Sequence, residues 1–218
     1  MTDETTDDLM EATYRALCKH GYAELTMQDI AAESTKTKGT LHYHFEGKQD
    51  LLESFLEYLL DQFEARTETV PGETAAQRLH EYVDELLTPS DEESAEEFRT
   101  AILEIKAQSP YNEAYRARLR KFDHALRDRI AGFVADGLET EEFRADVDPE
   151  ETADFLVTIF NGAETRAAAV DRSPECTKRY VHAYIDDTLR SDGSNGGDAG
   201  SGDSNDPTVD GDETEAGE

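Results

Sequence analysis

A chain of 218 residues, 37% of them hydrophobic, suffices for one large domain or two small ones with a buried core. Its 51 acidic residues against 21 basic ones give a formal charge of -30, which argues against the broad basic surface of an ordinary nucleic-acid binder. No run approaches a membrane span, the opening MTDETTDDLM carries no export signal, and Cys18 and Cys176 form neither a disulfide framework nor a metal site. The expectation is a cytoplasmic protein with two buried free thiols and no cofactor or metal.

In chain order, helical periodicity fills residues 1 to 190, with almost no strand alternation, so the expected fold class is all-α. Gly21 closes a first helix. Thr26 with Asp29, Thr74 with Gln77 and Ser94 with Glu97 have capping-box spacing. Asp148-Pro149-Glu150 and Ser173-Pro174-Glu175 each pair an N-cap with a proline at the first helical position. Pro71-Gly72, Pro89, Pro110 and the stretch from Asp146 to Pro149 separate further helices, about nine in all. Ser191 to Glu218 has seven Gly, four Ser and nine Asp or Glu without a Lys or Arg, the composition of a disordered acidic tail. The expected division is a first domain over 1–66, a second over 67–190 and a tail over 191–218. Residues 1 to 190 still carry -21, so the acidity coats the folded surface, as a cytoplasm holding molar salt would require.

Residues 26–45 read TMQDIAAESTKTKGTLHYHF. A helix from about Met27 to Ser34 buries Ile30 and Ala31, a polar turn follows at Thr35-Lys36, and Thr37 caps a second short helix through Phe45. Leu41 and Phe45, four apart, are the only strongly apolar anchors of that second helix. Its other face presents Lys38, Gly39, Thr40, His42, Tyr43 and His44, donors and aromatics suited to phosphates and base edges. Gly39 costs a helix roughly 1 kcal/mol relative to Ala and fits a position where a foreign backbone comes close. From Lys36 to Lys48 there are three lysines against the single acid Glu46, the one positive island in an N-terminal part of net charge -8. Lys48 falls near the start of the next helix, where backbone N–H groups favour a phosphate.

The run from Gly21 to Leu52, GYAELTMQDIAAESTKTKGTLHYHFEGKQDLL, resembles the DNA-binding domain of TetR-family transcriptional regulators. Gly21, Thr26, Ile30, Ala31, Lys38, Gly39, Thr40, Leu41, Phe45, Lys48 and Leu51 fall in register with the family pattern. Three positions depart: Thr35 and Lys36 replace a Gly and a Val of the turn, and His42 replaces a tyrosine whose hydroxyl contacts a phosphate, with Tyr43 as its neighbour. The stretch from Phe133 onward is similar to a second family segment through Gly137, Phe143, Arg144, Asp146, Val147, Asp148 and Pro149.

The resemblance implies an N-terminal three-helix helix-turn-helix domain followed by an all-helical domain that binds a small effector and dimerises through its last two helices, expected near Pro149 to Asp171 and Pro174 to Arg190. It implies a ligand-responsive repressor, a homodimer on a near-palindromic double-stranded DNA operator, and no enzyme. Thr26, Gln28, Thr37, Tyr43 and Lys48 are expected to hold the DNA backbone, and Lys38 and Thr40 to approach base edges. The rival reading is a helical effector-binding or protein-interaction module that has lost DNA binding. Phe98, Tyr115, Phe122 and Phe160 line either an effector pocket or plain core. Glu164, on an otherwise apolar stripe, meets a cationic effector or, as the favoured alternative, pairs with an Arg such as Arg166 across a dimer. Gly162, Ala163, Ala167 and Ala168 are small enough for a close helix interface. His80 opens HEYVD, which lacks the second histidine of a zinc motif and reads as chance.

Overall fold

In a computed structural model of the chain, residues 3–88 and 95–191 are described. They form nine α-helices: α1 (Asp3–Glu24), α2 (Met27–Glu33), α3 (Lys38–His44), α4 (Lys48–Thr67), α5 (Ala75–Leu87), α6 (Ala95–Gln108), α7 (Glu113–Glu139), α8 (Pro149–Val170) and α9 (Glu175–Tyr184), which runs into a π turn over Ile185–Leu189. The described residues contain no strand beyond a single bridge between Phe143 and Arg190. Pro89, the capping box expected at Ser94, and the tail beyond Ser191 lie outside the described residues. Ser191 itself is tied down rather than part of a tail, since its N–H donates to the Glu142 carbonyl at 2.9 Å and its hydroxyl to that of Glu141 at 2.7 Å.

The helix starts follow the predicted chemistry. Thr26 and Asp29 at α2, and Thr74 and Gln77 at α5, form reciprocal capping boxes, and the Asp148 side chain accepts from Glu151 N at the head of α8. α9 begins one residue later than expected: Pro174 is its N-cap, with Ser173 Oγ accepting from Glu175 N at 3.3 Å. Gly21 breaks α1 with a φ of 65°, where a side chain would be strained and would crowd Glu104 at 3.2 Å.

Two cores form. The first gathers Leu9, Met10 and Leu17 of α1, Ile30, Leu41, Phe45, and Leu51, Leu52 and Phe55 of α4. Ala101 and Ile105 of α6 and Tyr115 of α7 also belong to it, so the boundary drawn at residue 66 does not divide the packing. The second joins Phe63 of α4 to Leu79, Tyr82 and Val83 of α5, Ile130, Phe133 and Val134 of α7, Leu156 and Val157 of α8, and Val181, Ile185 and Leu189. α4 and α7 thus each run through both cores. The two thiols are not buried as expected: Cys18 is half-buried and Cys176 exposed.

Local contacts account for the Phe133-to-Pro149 segment. A Cβ on Gly137 would lie 2.1 Å from Cδ2 of the buried Phe143, whose N–H donates to the Gly137 carbonyl at 3.0 Å. Glu142 reaches across to accept from Ala75 N at 3.1 Å and Ala76 N at 3.0 Å, satisfying donors at the first turn of α5. Burial alone would raise the Glu142 carboxyl, but these backbone bonds overcome it and hold the group below its usual range. His80, read as chance, packs α5 onto α9: its ring stacks on His182 with centroids 4.6 Å apart, while Asp186 and Asp84 flank the pair at 3.0 and 2.9 Å.

Candidate functional site

The helix-turn-helix region is held from below. Thr37 caps α3, its hydroxyl accepting from Thr40 N at 3.2 Å and lying 3.1 Å from the Thr40 hydroxyl. Leu41 and Phe45 are buried in the first core, and every other residue of α3 reaches solvent. Lys38, Gly39, His42, Tyr43 and His44 are exposed, Tyr43 at 86%, and Thr40 is half-buried. An added Cβ at Gly39 would meet only Thr37 Oγ1, at 3.6 Å, so nothing within the fold demands a glycine there. Thr26 and Gln28 are exposed at the head of α2, with the Thr26 hydroxyl 2.6 Å from Asp29 Oδ2.

The turn between α2 and α3 is where the sequence departs from the family pattern, and the departing residue is engaged. Thr35 donates to Asp8 Oδ1 at 2.8 Å and Ser34 to Asp8 Oδ2 at 2.5 Å, while Ser34 Oγ accepts from Lys36 N at 2.9 Å. Asp8 of α1 therefore clamps the turn. The Ser34 hydroxyl, helped by Thr35 and the charge of Lys36, holds its carboxyl below the usual range against the opposing effect of burial.

Lys48 opens α4, as the sequence suggested, but its side chain is engaged within the fold. Its ammonium turns inward, donates to the Tyr22 carbonyl and lies 4.5 Å from the centroid of the Tyr22 ring. Burial pushes the ammonium down, against the raising influence of Glu104 and Glu24. The physical reason is local: Tyr22 lies in the last turn of α1, where carbonyls have no partner further along the helix, and Lys48 is the donor that reaches it.

A cavity of about 470 Å³ lies between α1, α4, α5, α6, α7 and α8. Phe98, Phe122, Phe160 and Glu164 line it together, whereas Tyr115 does not. Tyr115 is fully buried in the first core, its ring 6.4 Å from that of Tyr22. Helical spacing gave the face of α7 that is buried but not which of two cores receives each residue. Within the cavity Glu164 faces Arg99 and Lys106 of α6, and burial pushes its carboxyl up against their opposing charge. Burial likewise pushes the Lys106 ammonium down, and it donates to Asn161 Oδ1 at 3.2 Å. Arg99 and Lys106 are cavity residues that sequence reading passed over; their spacing of seven on one helix, facing Glu164, was the available signal.

The small residues of α8 also divide. Ala163 is buried in the second core and Ala168 lines the cavity, so neither forms an open interface. The outward faces of α8 and α9 instead carry Phe155, Val170 and Tyr180, exposed at 45, 67 and 70%, and an added Cβ at Gly162 would meet nothing within 4 Å. Among the described residues no helix is long and apolar enough to cross a membrane.

Comparison with known proteins covers both halves. Residues 9–55 match the profile of bacterial regulatory proteins of the TetR family, and residues 75–190 that of the C-terminal domain of BetI-type transcriptional repressors. A TetR transcription regulator from Haloarcula marismortui is 37% identical in sequence and superposes with a TM-score of 0.78 over 86% of this chain and 99% of its own. The transcriptional repressor DhaR of Mycobacterium sp. strain GP1 is 24% identical over 190 residues, 84% of this chain and 91% of its own. A transcriptional regulator from Saccharomonospora viridis, crystallised in complex with choline, shares the fold at 23% identity, with a TM-score of 0.72 over 86% of this chain and 98% of its own.

Proposed function

The chain belongs to the TetR family of transcriptional regulators, and we propose that it is a ligand-responsive repressor that binds a near-palindromic operator as a homodimer. The observation that carries this reading is α3: a helix anchored by Leu41 and Phe45 alone, with Lys38, Gly39, His42 and Tyr43 standing clear of the fold. In this reading Lys38 and Thr40 reach base edges in the major groove. Thr26, Gln28, Thr37, His42 and Tyr43 hold the phosphate backbone, and Gly39 admits its close approach. Lys48 acts indirectly, by fixing Tyr22 and with it the end of α1.

One recognition helix reads too few base pairs for an address, so two copies are needed, and two-fold symmetry then makes the operator near-palindromic. Phe155, Val170 and Tyr180 on the outward faces of α8 and α9 supply the apolar surface for that dimer. The cavity bounded by Phe98, Phe122, Phe160 and Glu164 is the effector site. Residues 3–66 are the reading head and 67–190 the sensor, with α6 packed against both.

Footprinting of genomic DNA with the full-length protein in molar salt tests the reading. The expected result is protection of inverted repeats whose half-site centres lie about one helical turn apart, or a multiple of it. Protection without two-fold symmetry, or sedimentation as a monomer at micromolar concentration under the same conditions, overturns it.

A further inference from the structure

The cavity's lining specifies the charge of what it binds. Its walls are apolar, built by Phe63, Phe98, Ile102, Phe122 and Phe160, which suits a ligand with an aromatic or branched hydrocarbon body. Toward α6 and α8 they give way to Arg99, Lys106 and Glu164. Arg66 and Glu85, also in the lining, pair with each other at 2.6 Å and cancel. That leaves two cationic side chains against one carboxylate in the lining itself, with Asp123 acting on Lys106 from outside it. Among the described residues Arg99 makes no hydrogen bond, and its Nε is buried without a partner. Lys106 has one acceptor, Asn161, for an ammonium that carries three N–H donors.

We propose that the effector is an amphipathic organic anion, a carboxylate on an aromatic or branched hydrocarbon body, whose acid group is held by Arg99 and Lys106. The inference rests on the reading of this cavity as the effector site. A buried guanidinium N–H without an acceptor is costly, and a ligand carboxylate supplies that acceptor with the matching charge. The negative charge of such a group also opposes the burial that pushes the Lys106 ammonium down. A cationic effector would have Glu164 alone for a partner and would meet Arg99 and Lys106 as like charges. The choline seen in the Saccharomonospora viridis protein is therefore the wrong charge for this cavity. Glu164 is left to accept from a hydroxyl or amine elsewhere on the ligand, or to steady Arg99 until the ligand arrives. Because the groups lie inside the fold, molar salt screens this selectivity far less than it screens the surface.

Calorimetric titration of the full chain in molar salt with phenylbutyrate, phenylbutanol and phenylpropyltrimethylammonium compares one hydrocarbon body under three charges. Phenylbutyrate is expected to bind at least about ten-fold more tightly than either counterpart, the size of one hydrogen bond to a charged group. Arg99→Gln and, as a second variant should the first not fold, Lys106→Met each reduce that affinity by a similar factor. Ala168→Phe, which fills the cavity, abolishes it. Tighter binding of the ammonium or the alcohol, itself lost in Ala168→Phe, overturns the anion and leaves the effector cavity standing. No binding of any probe, or binding that Ala168→Phe leaves intact, overturns the cavity reading and the anion together.

Discussion

Glu104 of α6 accepts a hydrogen bond from the backbone N–H of Tyr22 at 2.6 Å, and the carbonyl of the same Tyr22 accepts from Lys48 of α4. One residue at the end of α1 is thus held from two sides by helices that both line the cavity, through Phe98, Ile102 and Lys106 on α6 and Leu59, Phe63 and Arg66 on α4. In the proposed reading of the cavity, a ligand that shifts α6 pulls on Tyr22, and through it on the helix-turn-helix. Glu104→Ala leaves a half-buried N–H unpaired, at a cost of about 1 to 3 kcal/mol read from urea midpoints. Its more specific effect is on coupling. The change in operator affinity on adding effector should shrink in Glu104→Ala by more than operator affinity itself falls, as band-shift titrations with and without ligand would record.

The clamp on the turn has a pH signature. The Asp8 carboxyl is held below its usual range by Ser34 first, then Thr35 and Lys36. A group depressed on folding contributes stability above its unfolded value, about 3.9, and that contribution is lost as pH falls through the lower folded value. Asp8→Ala should therefore be less stable than the parent by about 1 kcal/mol near neutrality, with the gap closing below about pH 4. Urea unfolding of both proteins across that range measures it, and a constant gap would remove Asp8 from the account of the turn.

This clamp also marks the limit of what the residues could tell on their own. Ile30, Leu41, Phe45 and the caps at Thr26, Thr37, Thr74 and Asp148 were legible because capping and amphipathic spacing are local rules, complete within four or five residues. What Thr35 does in the turn was not legible because its partner, Asp8, lies on another helix. Lys48 looked free for a phosphate because the carbonyl it reaches, that of Tyr22, belongs to the end of another helix 26 residues away. Tyr115, left open between pocket and core, went to the core, and Glu164, offered either to an effector or to an arginine of a second copy, lines the cavity. Periodicity fixes the buried face of a helix and is silent about which neighbour meets it. Glu142, capping α5 from 66 and 67 residues away, had no local signal at all.

On α3 the exposed side chains should separate by role. Lys38→Ala alters the ranking of operator variants, by about 1 to 3 kcal/mol at the base pair it reads. Tyr43→Phe weakens operator and unrelated DNA alike, because a phosphate carries no sequence. Thr37→Ala removes the cap on a seven-residue helix, costing about 1 kcal/mol of stability and weakening all DNA binding. Binding measured on a panel of single-base operator variants distinguishes these patterns, and a change in ranking from Tyr43→Phe would mean that α3 is docked differently.

Gly137 is the position where the smallest change should do the most damage. A single added methyl would stand 2.1 and 2.4 Å from two ring carbons of Phe143, itself buried in the second core. The ring has little room to yield, because Phe143 N is bonded to Gly137 O and Phe143 also bridges to Arg190. Gly137→Ala should cost about 1 to 3 kcal/mol or more by overpacking, despite the better helix propensity of Ala. Gly39→Ala, where an added Cβ meets open space apart from Thr37, should by contrast stabilise the free protein by up to about 1 kcal/mol while weakening operator binding. Thermal unfolding of the two variants side by side gives opposite signs if both assignments hold.

Salt should separate this protein most clearly from ordinary DNA-binding proteins. A basic binder displaces counter-ions from the duplex, and its affinity falls with a log-log slope of about -0.9 per neutralised phosphate. Here Lys48 is engaged with Tyr22, so Lys36 and Lys38 are the lysines left on the reading surface, and behind them stands a chain of net charge -30. At low salt the acidic coat repels DNA over about 10 Å or more, and it also repels itself, which loosens the fold. Raising salt shortens that reach to about 3 Å at 1 M, relieving both before the loss of two lysine contacts can outweigh the gain. Operator affinity should then be flat or rising between about 0.1 and 1 M salt, with unfolding temperature rising over the same range. Fluorescence anisotropy on labelled operator, paired with circular dichroism at each salt concentration, makes the test. A steep, monotonic loss of affinity while the fold stays intact would mean that phosphate neutralisation dominates after all, and that more cations reach the duplex than Lys36 and Lys38 supply.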